Sequence, residues 1–564
     1  MPLRTKLATV VLAAAAALAL TANASAATSP PLSGVLADDL APPLHGWATI
    51  GMPRMRPAHL RDATGLTLSG PGSIRRALPP RPWSLSLDLR LEPRSTLTIE
   101  LGADRLVLAR ARDDRALTIS GPGIATQPVP TNNAVPGWKH LEIDGGSPAS
   151  LAIDAESIGS DLHPGSSLTL RATRGSARLT GLVATRRDDA SALLLHRLAA
   201  LHARTPQGRF PVGTGADDGL LRFAGGWTDG LWAGSLWRAY DLTRARLFRS
   251  WASAATTAHL GRESQRIHDQ GFRYLESSAA AYDRTCRTGA SRTTKRCRRL
   301  RGSGLEAADV LVSMAAENPG TRTIPTVGAG QKCRACASPD EAETIVDSVM
   351  NLGLLHWAHA QTHVARYRST ALAHALAVEG LLVRGDGSTA QGVRTMRSDG
   401  RVIEVEHRQG LSADSTWARG QAWAVYGYAQ TGAALRRLDL VAVSERLAGY
   451  VRDHLPASDV PLYDYDAPAG SPEDTSAGVI TAAGLFRLAA ACERFQGTCA
   501  RPTLWGPLAR RMLNASLAHV SRRPPLGMLG DQVYSLGGSA SWDDRGEYVF
   551  GLDYALEAIR RSLG

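Results

Sequence analysis

Between about Leu40 and Arg187 hydrophobic and polar residues alternate with a period of two, as in "WSLSLDLRLEP", "STLTIELGADRLVLARA", "KHLEIDGG" and "SLTLRATRGSARLTGLVATR". Short runs of this kind, punctuated by Gly, Pro and Asp, predict an antiparallel β-sandwich over residues 40–187. After "RRDDAS" the period changes. Apolar residues recur at helical spacing in "LWAGSLWRAYDLT", "AETIVDSVMNLGLLHWAHAQT", "TWARGQAWAVYGYAQTG", "TSAGVITAAGLFRLAAACERF" and "YVFGLDYALEAIRR". Roughly ten to twelve helices over residues 190–564, separated by Gly/Asp/Pro-rich loops, predict an all-α toroid or solenoid rather than a bundle. The chain is therefore expected to be multidomain. The sandwich holds no catalytic cluster and reads as a packing or spacer module, with carbohydrate binding as the alternative.

Composition changes this picture at three points. Arg4 and Lys6, an apolar run from Leu7 to Leu20 and an Ala24/Ala26 pair read as a signal peptide over residues 1–26, cleaved near Ala27. The run is too short to span a bilayer, so a secreted or periplasmic bacterial protein with no membrane contact after cleavage is expected. The six cysteines suit that oxidising compartment: Cys492 and Cys499 are placed to close a local loop, and the Cys333/Cys336 pair to bridge to Cys286 or Cys297. No second CxxC or paired His completes a metal set, so neither metal nor cofactor is expected. The net charge of +12 favours an anionic ligand, although 60 of the 64 basic residues are Arg, as a codon bias would produce. No nucleic-acid motif accompanies it, and the cluster "KRCRRLRG" reads as a solvated loop.

Three segments carry candidate chemistry. In "IVDSVMNLGLLHWA", a helix over 345–358 would place Asp347 and Asn351 on one face beside Met350, Leu354 and Trp357. A carboxyl group among apolar neighbours has its charged form disfavoured, which suits proton transfer near neutrality; an Asp near a helix start explains the segment equally well. "RIHDQGFRYLES" supplies His268 and Asp269, a second carboxylate that would push the first one's pKa apart from its own, or a helix cap. "RQGLSADSTWARGQAWAVYGYA" brings together Gln409, Trp417, Arg419 and Trp423: flat aromatic faces for a sugar ring and a guanidinium for its carboxylate.

With "WTDGLWAGSLWRAYDLT", "VRGDGSTAQ", "HLPASDVPLYDYDAP" and "DTSAGVITAAGLFRLA", these segments stand in the order of the unsaturated glucuronyl hydrolases, glycoside hydrolase family 88, which the chain resembles from about Arg209 to Leu563. The resemblance implies an (α/α)6 barrel. It also implies removal of the unsaturated uronic acid at the non-reducing end of lyase-generated oligosaccharides, by hydration of its vinyl ether. By the same resemblance Asp347 matches the general acid/base and Asp269 the second essential Asp, while Gln409, Trp417, Arg419 and Trp423 match substrate-holding residues and Trp232 an aromatic wall. His268 and Asn351 are expected to line the same site.

The sequence departs from that pattern where "DGSTAQ" supplies Gln391, a substrate-binding candidate that keeps hydrogen bonding, instead of a His, where "LGDQVY" with Asp531 stands for a His-Gly, and where "GLDYALEAI" stands for "GDYYFLEAL". These changes bear on linkage and decoration more than on the reaction. They leave room for an unsaturated rhamnogalacturonyl hydrolase-like enzyme, or a catalytically silent carbohydrate-binding protein; retention of both carboxylates argues against the latter.

Overall fold

The computed structural model describes residues 32–564 apart from 34, 42–43, 61–62, 71, 112–116, 130–137, 146–148, 155, 187, 216–219, 224–225, 287–288, 521–527 and 536–544. The signal segment read in residues 1–26 lies outside the described residues. Residues 35–186 form two facing antiparallel sheets. In one, Trp83–Leu91 lies between Lys139–Asp144 and Ser176–Arg186; in the other, Ser95–Leu101 lies between Asp104–Arg110 and Ser167–Arg174. Alternation puts Leu85, Leu87 and Leu89 on one face, and they pack with Leu97, Ile99, Leu106 and Leu108 in a shared core.

The opposite face of the first sheet is covered as well. The helix Ala190–Arg204 (α1) lies on it, and polar residues of both partners become buried. His140 Nδ1 stands 2.6 Å from Asp88, Arg197 reaches Glu142 at 3.6 Å, and burial holds His196 well below the usual imidazole range. The sheet's polar positions are thus half of a domain interface.

The longer helices that follow are α2 (Asp229–Thr243), α3 (Arg246–His259), α4 (Gln270–Tyr274, continued through a π-helical turn, Leu275–Ala279, into Ala280–Thr285), α5 (Lys295–Ala316), α6 (Leu352–Thr362), α7 (Ala365–Leu382), α8 (Ala418–Leu435), α9 (Leu438–His454), α10 (Thr475–Arg494), α11 (Trp505–Leu517) and α12 (Val549–Ser562). Two burial patterns alternate along this series. α8 is buried continuously from Ala418 to Ala429 and α12 from Val549 to Ile559, whereas α3 buries only a stripe of Leu247, Phe248, Trp251, Ala252, Thr256 and His259. A stripe means one wet face, and burial all round means an interior helix. α2, α4, α6, α8, α10 and α12 pack each against the next, and α12 packs against α2. α10 is long and apolar enough to cross a membrane, yet it is buried between α8, α11 and α12.

The disulfides are Cys286–Cys297, Cys333–Cys336 and Cys492–Cys499. The CxxC therefore closes on itself instead of bridging to Cys286 or Cys297. Those two already face each other across the α4–α5 connection, with Cα atoms 5.8 Å apart.

Candidate active site

The segment around Asp347 is not one helix. Glu341–Ile345 is a strand paired with Gly392–Met396, Val346–Asn351 is a 3₁₀ turn, and α6 begins only at Leu352. Pairing holds Ile345 extended, and the N–H of Val346 still donates to the Gln391 carbonyl at 2.9 Å. With three residues per turn, Asp347 and Asn351 do not share the face that an α-helix would give them.

A Ser–His pair fixes this turn. The Ile324 N–H donates to Nδ1 of His374 at 2.9 Å, so the proton sits on Nε2, which donates to Ser348 Oγ at 3.0 Å; that hydroxyl in turn donates to the Ile345 carbonyl at 2.6 Å. Burial pushes the His374 imidazole down to about 3, which keeps it neutral.

Asn351, read as a residue lining the site, points into the adjoining turn instead. Its Oδ1 accepts the Phe272 N–H at 2.9 Å. Gly271 permits the approach, because a Cβ there would stand 2.2 Å from Asn351 Cα. The start of α4 is thereby pressed against the Asp347 turn. Burial pushes the Asp347 carboxyl up to about 6; the charges of His268 and Arg419 oppose the rise, and that of Asp269 adds to it. His268 Nε2 lies 3.2 Å from Asp269 Oδ1. Asp347 Oδ1 is buried and, among the described residues, has no hydrogen-bond partner.

Arg419 is almost fully buried between Trp417 and Phe550, with its guanidinium carbon 4.7 and 4.9 Å from their ring centres. It donates to the Val533 carbonyl, to the Tyr534 carbonyl at 2.8 Å and to Asp474 at 3.3 Å. These bonds make it a strut that holds the 533–534 loop and lends positive potential to Asp347, rather than a free fork. Gln391 and Gln409 form a second strut. Gln391 Nε2 donates to Gln409 Oε1 at 3.0 Å, its Oε1 receives the N–H groups of Arg408 and Gln409, and Gln409 Nε2 reaches the Tyr534 carbonyl at 3.0 Å.

Trp423 is buried edge-to-face against Phe272 and Tyr554, so it supports the site from beneath. Trp232 is not part of this group. It is buried with its ring facing His202 of α1, which stacks on Trp251 of α3. Among the described residues, the half-buried indole at the site is Trp227, which packs on Phe550 at 5.3 Å and donates from Nε1 to the Tyr534 hydroxyl at 2.9 Å. Asp229, at the first turn of α2, accepts the Gly226 N–H at 3.0 Å and closes the loop that presents it. Neither Trp227 nor Tyr534 stands out in the sequence reading. The available signal for Trp227 is its place just before a helix, as with Trp417; Tyr534 sits in a loop with no periodicity.

The first turns of all six interior helices thus meet here: Trp227 before α2, Asp269 and Phe272 at α4, Asp347 and Asn351 before α6, Trp417 and Arg419 at α8, Asp474 before α10 and Phe550 in α12. Aligned helix starts favour an anionic ligand. Beneath them Arg238 of α2 pairs with Glu276 at 3.0 Å and Asp553 at 3.1 Å, joining α2, α4 and α12. Aromatic walls, a carboxyl group near 6 and a positive end potential can together bind an acidic sugar and pass it a proton.

No family model matches the chain. It is 30% identical over 361 residues to an unsaturated glucuronyl hydrolase of Bacillus sp. (strain GL1), a match spanning 63% of this chain and 90% of that protein. It is also 30% identical over 268 residues to an unsaturated chondroitin disaccharide hydrolase of Streptococcus pyogenes serotype M1, spanning 46% of this chain and 63% of that one. The crystal structure of the unsaturated glucuronyl hydrolase from Bacillus sp. GL1, described as responsible for the degradation of glycosaminoglycan, superposes with a TM-score of 0.57 at 27% identity, over 66% of this chain and 96% of that one.

Proposed function

The chain belongs to the unsaturated glucuronyl hydrolases, glycoside hydrolase family 88, and from that premise we propose that it removes the non-reducing-end 4,5-unsaturated uronic acid from lyase-generated oligosaccharides, with Asp347 as general acid/base. The observation that carries this reading is the Asp347 carboxyl: buried, without a hydrogen-bond partner at Oδ1 among the described residues, raised to about 6, and adjacent to Asp269 where six helix starts converge. The alternation of interior and one-faced helices supports an (α/α)6 barrel with the substrate entering at that end.

In the proposed reaction the protonated Asp347 delivers its proton to C4 of the vinyl ether, and positive charge develops across C5 and the ring oxygen. Water adds at C5 while the Asp347 carboxylate accepts its proton, so one group serves in both directions. The resulting hemiketal opens, and the rest of the oligosaccharide leaves as an alcohol. No covalent glycosyl-enzyme is required, and the pair of carboxylates acts by placing one pKa, not as nucleophile and acid. Trp227 offers the flat surface for the sugar ring, and the helix starts together with Arg419 attract the uronate carboxylate. Gln391 and Gln409 fix the loop on which the ring rests.

The N-terminal run and the three disulfides support export to an oxidising compartment; N-terminal sequencing of the exported protein is expected to start near Ala27. The enzymatic reading is tested by following loss of the double bond's ultraviolet absorbance with lyase-generated fragments of chondroitin, hyaluronan, heparin, gellan, ulvan and pectin. Turnover of at least one is expected. Binding of one with turnover of none would establish a silent carbohydrate-binding protein instead.

A further inference from the structure

We infer that a cationic face at the end of the helical region away from Asp347 binds an intact anionic polysaccharide, holding the protein on the polymer whose fragments it hydrolyses; the choice of partner rests on the function proposed above. From Cys286 to Gly302 the sequence holds seven basic residues and no acidic one. The cluster over residues 295–302, read as a solvated loop, opens α5 instead, and the Cys286–Cys297 bond ties that first turn to the end of α4, so the charge of α5's first turns is carried on a fixed surface.

Arg292, Lys295, Arg296, Arg298 and Arg299 are exposed there, and Arg249, on the first turn of α3, joins them. Arg296 donates to Thr285 Oγ1 at 3.1 Å and Ser253 Oγ at 3.3 Å, both neutral oxygens. Although the side chain as a whole is exposed, its guanidinium is partly desolvated where it lies against Thr285 and Ser253; that desolvation and the charge of Arg249 lower its pKa, so like charges crowd one another. Arg299 is paired with Glu263 at 3.0 Å. Among the described residues no ion pair involves Arg249, Lys295, Arg296 or Arg298. Uncompensated cations held on a rigid surface bind a polyanion by releasing its counterions, in the manner of heparin-type basic patches.

The position separates this face from the active site. α4 begins beside Asp269 and ends at Thr285, a rise of about 24 Å for a helix of that length. A polymer held at Thr285 and Arg296 therefore leaves the Asp347 end open to a fragment. Wherever lyase fragments occur their parent chain is present, and a tether to it raises the local concentration of substrate.

The test compares three proteins on immobilised heparin, immobilised chondroitin sulfate and duplex DNA at rising NaCl: wild type; a face variant, Arg249→Gln/Lys295→Gln/Arg298→Gln; and a control of equal charge change elsewhere on the surface, Arg437→Gln/Arg452→Gln/Arg511→Gln. Turnover of unsaturated disaccharides is measured on the same samples, so failure of the proposed activity and failure of polymer binding are read separately. The face variant is expected to bind polysaccharide about tenfold more weakly or worse with disaccharide turnover unchanged, and the control to stay close to wild type. Arg249→Lys/Arg298→Lys is expected to retain binding. Equal loss in the control, equal retention of the face variant, or preferential retention of wild type by DNA would each overturn the inference.

Discussion

The side-chain oxygen of Asn351 accepts the Phe272 N–H at 2.9 Å, and through that bond the turn carrying Asp347 is tied to the turn carrying Asp269. The contact is buried and passes directly over Gly271. Asn351→Ala is expected to leave that N–H unsatisfied, costing about 1–3 kcal/mol of stability. Gly271→Ala sets a methyl group against backbone and is expected to lower kcat about a hundredfold by moving the two carboxylates apart. Urea unfolding and steady-state kinetics check both; wild-type kcat in Gly271→Ala would show that this apposition does not align the site.

Asp347 links activity to pH with a definite sign. Its carboxyl stands near 6 against an ordinary 3.8, so the folded protein holds the proton more tightly than the unfolded chain does. The protonated acid is available below about 6, and kcat/KM is expected to fall roughly tenfold per pH unit above it. Stability follows the same direction: it is full below the unfolded value and is lost as pH rises through the folded one, by roughly 2–3 kcal/mol in all. Asp347→Asn is expected to abolish turnover while becoming more stable than wild type at neutral pH, an advantage that shrinks toward pH ~4. Unfolding curves at both ends of that range decide it. An active Asp347→Asn protein would remove the mechanism.

His374 touches no reacting atom in this arrangement; it positions the 3₁₀ turn through Ser348. His374→Ala is expected to lower kcat about tenfold or more with KM little changed, and to cost about 1–3 kcal/mol by freeing a buried N–H and hydroxyl. A positioning role also predicts a shift in the alkaline limb of the kcat/KM profile, because Asp347 would no longer sit at the same depth. His374→Gln, which can keep one of the two bonds, is expected to recover part of kcat. A variant that loses stability alone, with an unmoved pH limb, would make His374 purely structural.

Trp227 and Trp232 make a paired prediction. Trp227→Ala is expected to raise KM about tenfold while folding normally, since its half-buried ring faces the site. Trp232→Ala is expected to destabilise by about 3–5 kcal/mol as a core truncation. The milder Trp232→Phe is expected to leave KM unchanged. Thermal melts beside kinetics separate the two, and a raised KM in Trp232→Phe would return the aromatic wall to that position.

Periodicity separates the two halves of the molecule, a strand-built one and a mainly helical one, although short strands such as Glu341–Ile345 and Gly392–Met396 interrupt the helices. Period-two runs such as "WSLSLDLRL" bury one face as strands, and fully apolar stretches such as "TSAGVITAAGLFRLAAAC" are satisfied as interior helices, so local sequence settles most elements; it does not settle residues 341–351, where pairing with Gly392–Met396 makes a strand and a 3₁₀ turn out of a segment with helical spacing. The family resemblance marks Asp347 and Asp269 as candidates, whereas periodicity alone leaves each of them balanced against a helix cap. What the sequence leaves open is depth and direction. Asp347 could be a solvated cap or a buried acid, and only the packing of α4 and α8 around its turn raises it to about 6. Arg419 belongs to the same motif, yet whether its fork is free or committed depends on a loop more than a hundred residues away. Trp232 and Trp227 lie five residues apart, and which of them meets the site is decided by the loop that Asp229 closes and by the neighbours of α2. Burial and hydrogen-bond partnership are properties of segments brought together, so tertiary structure alone decides them.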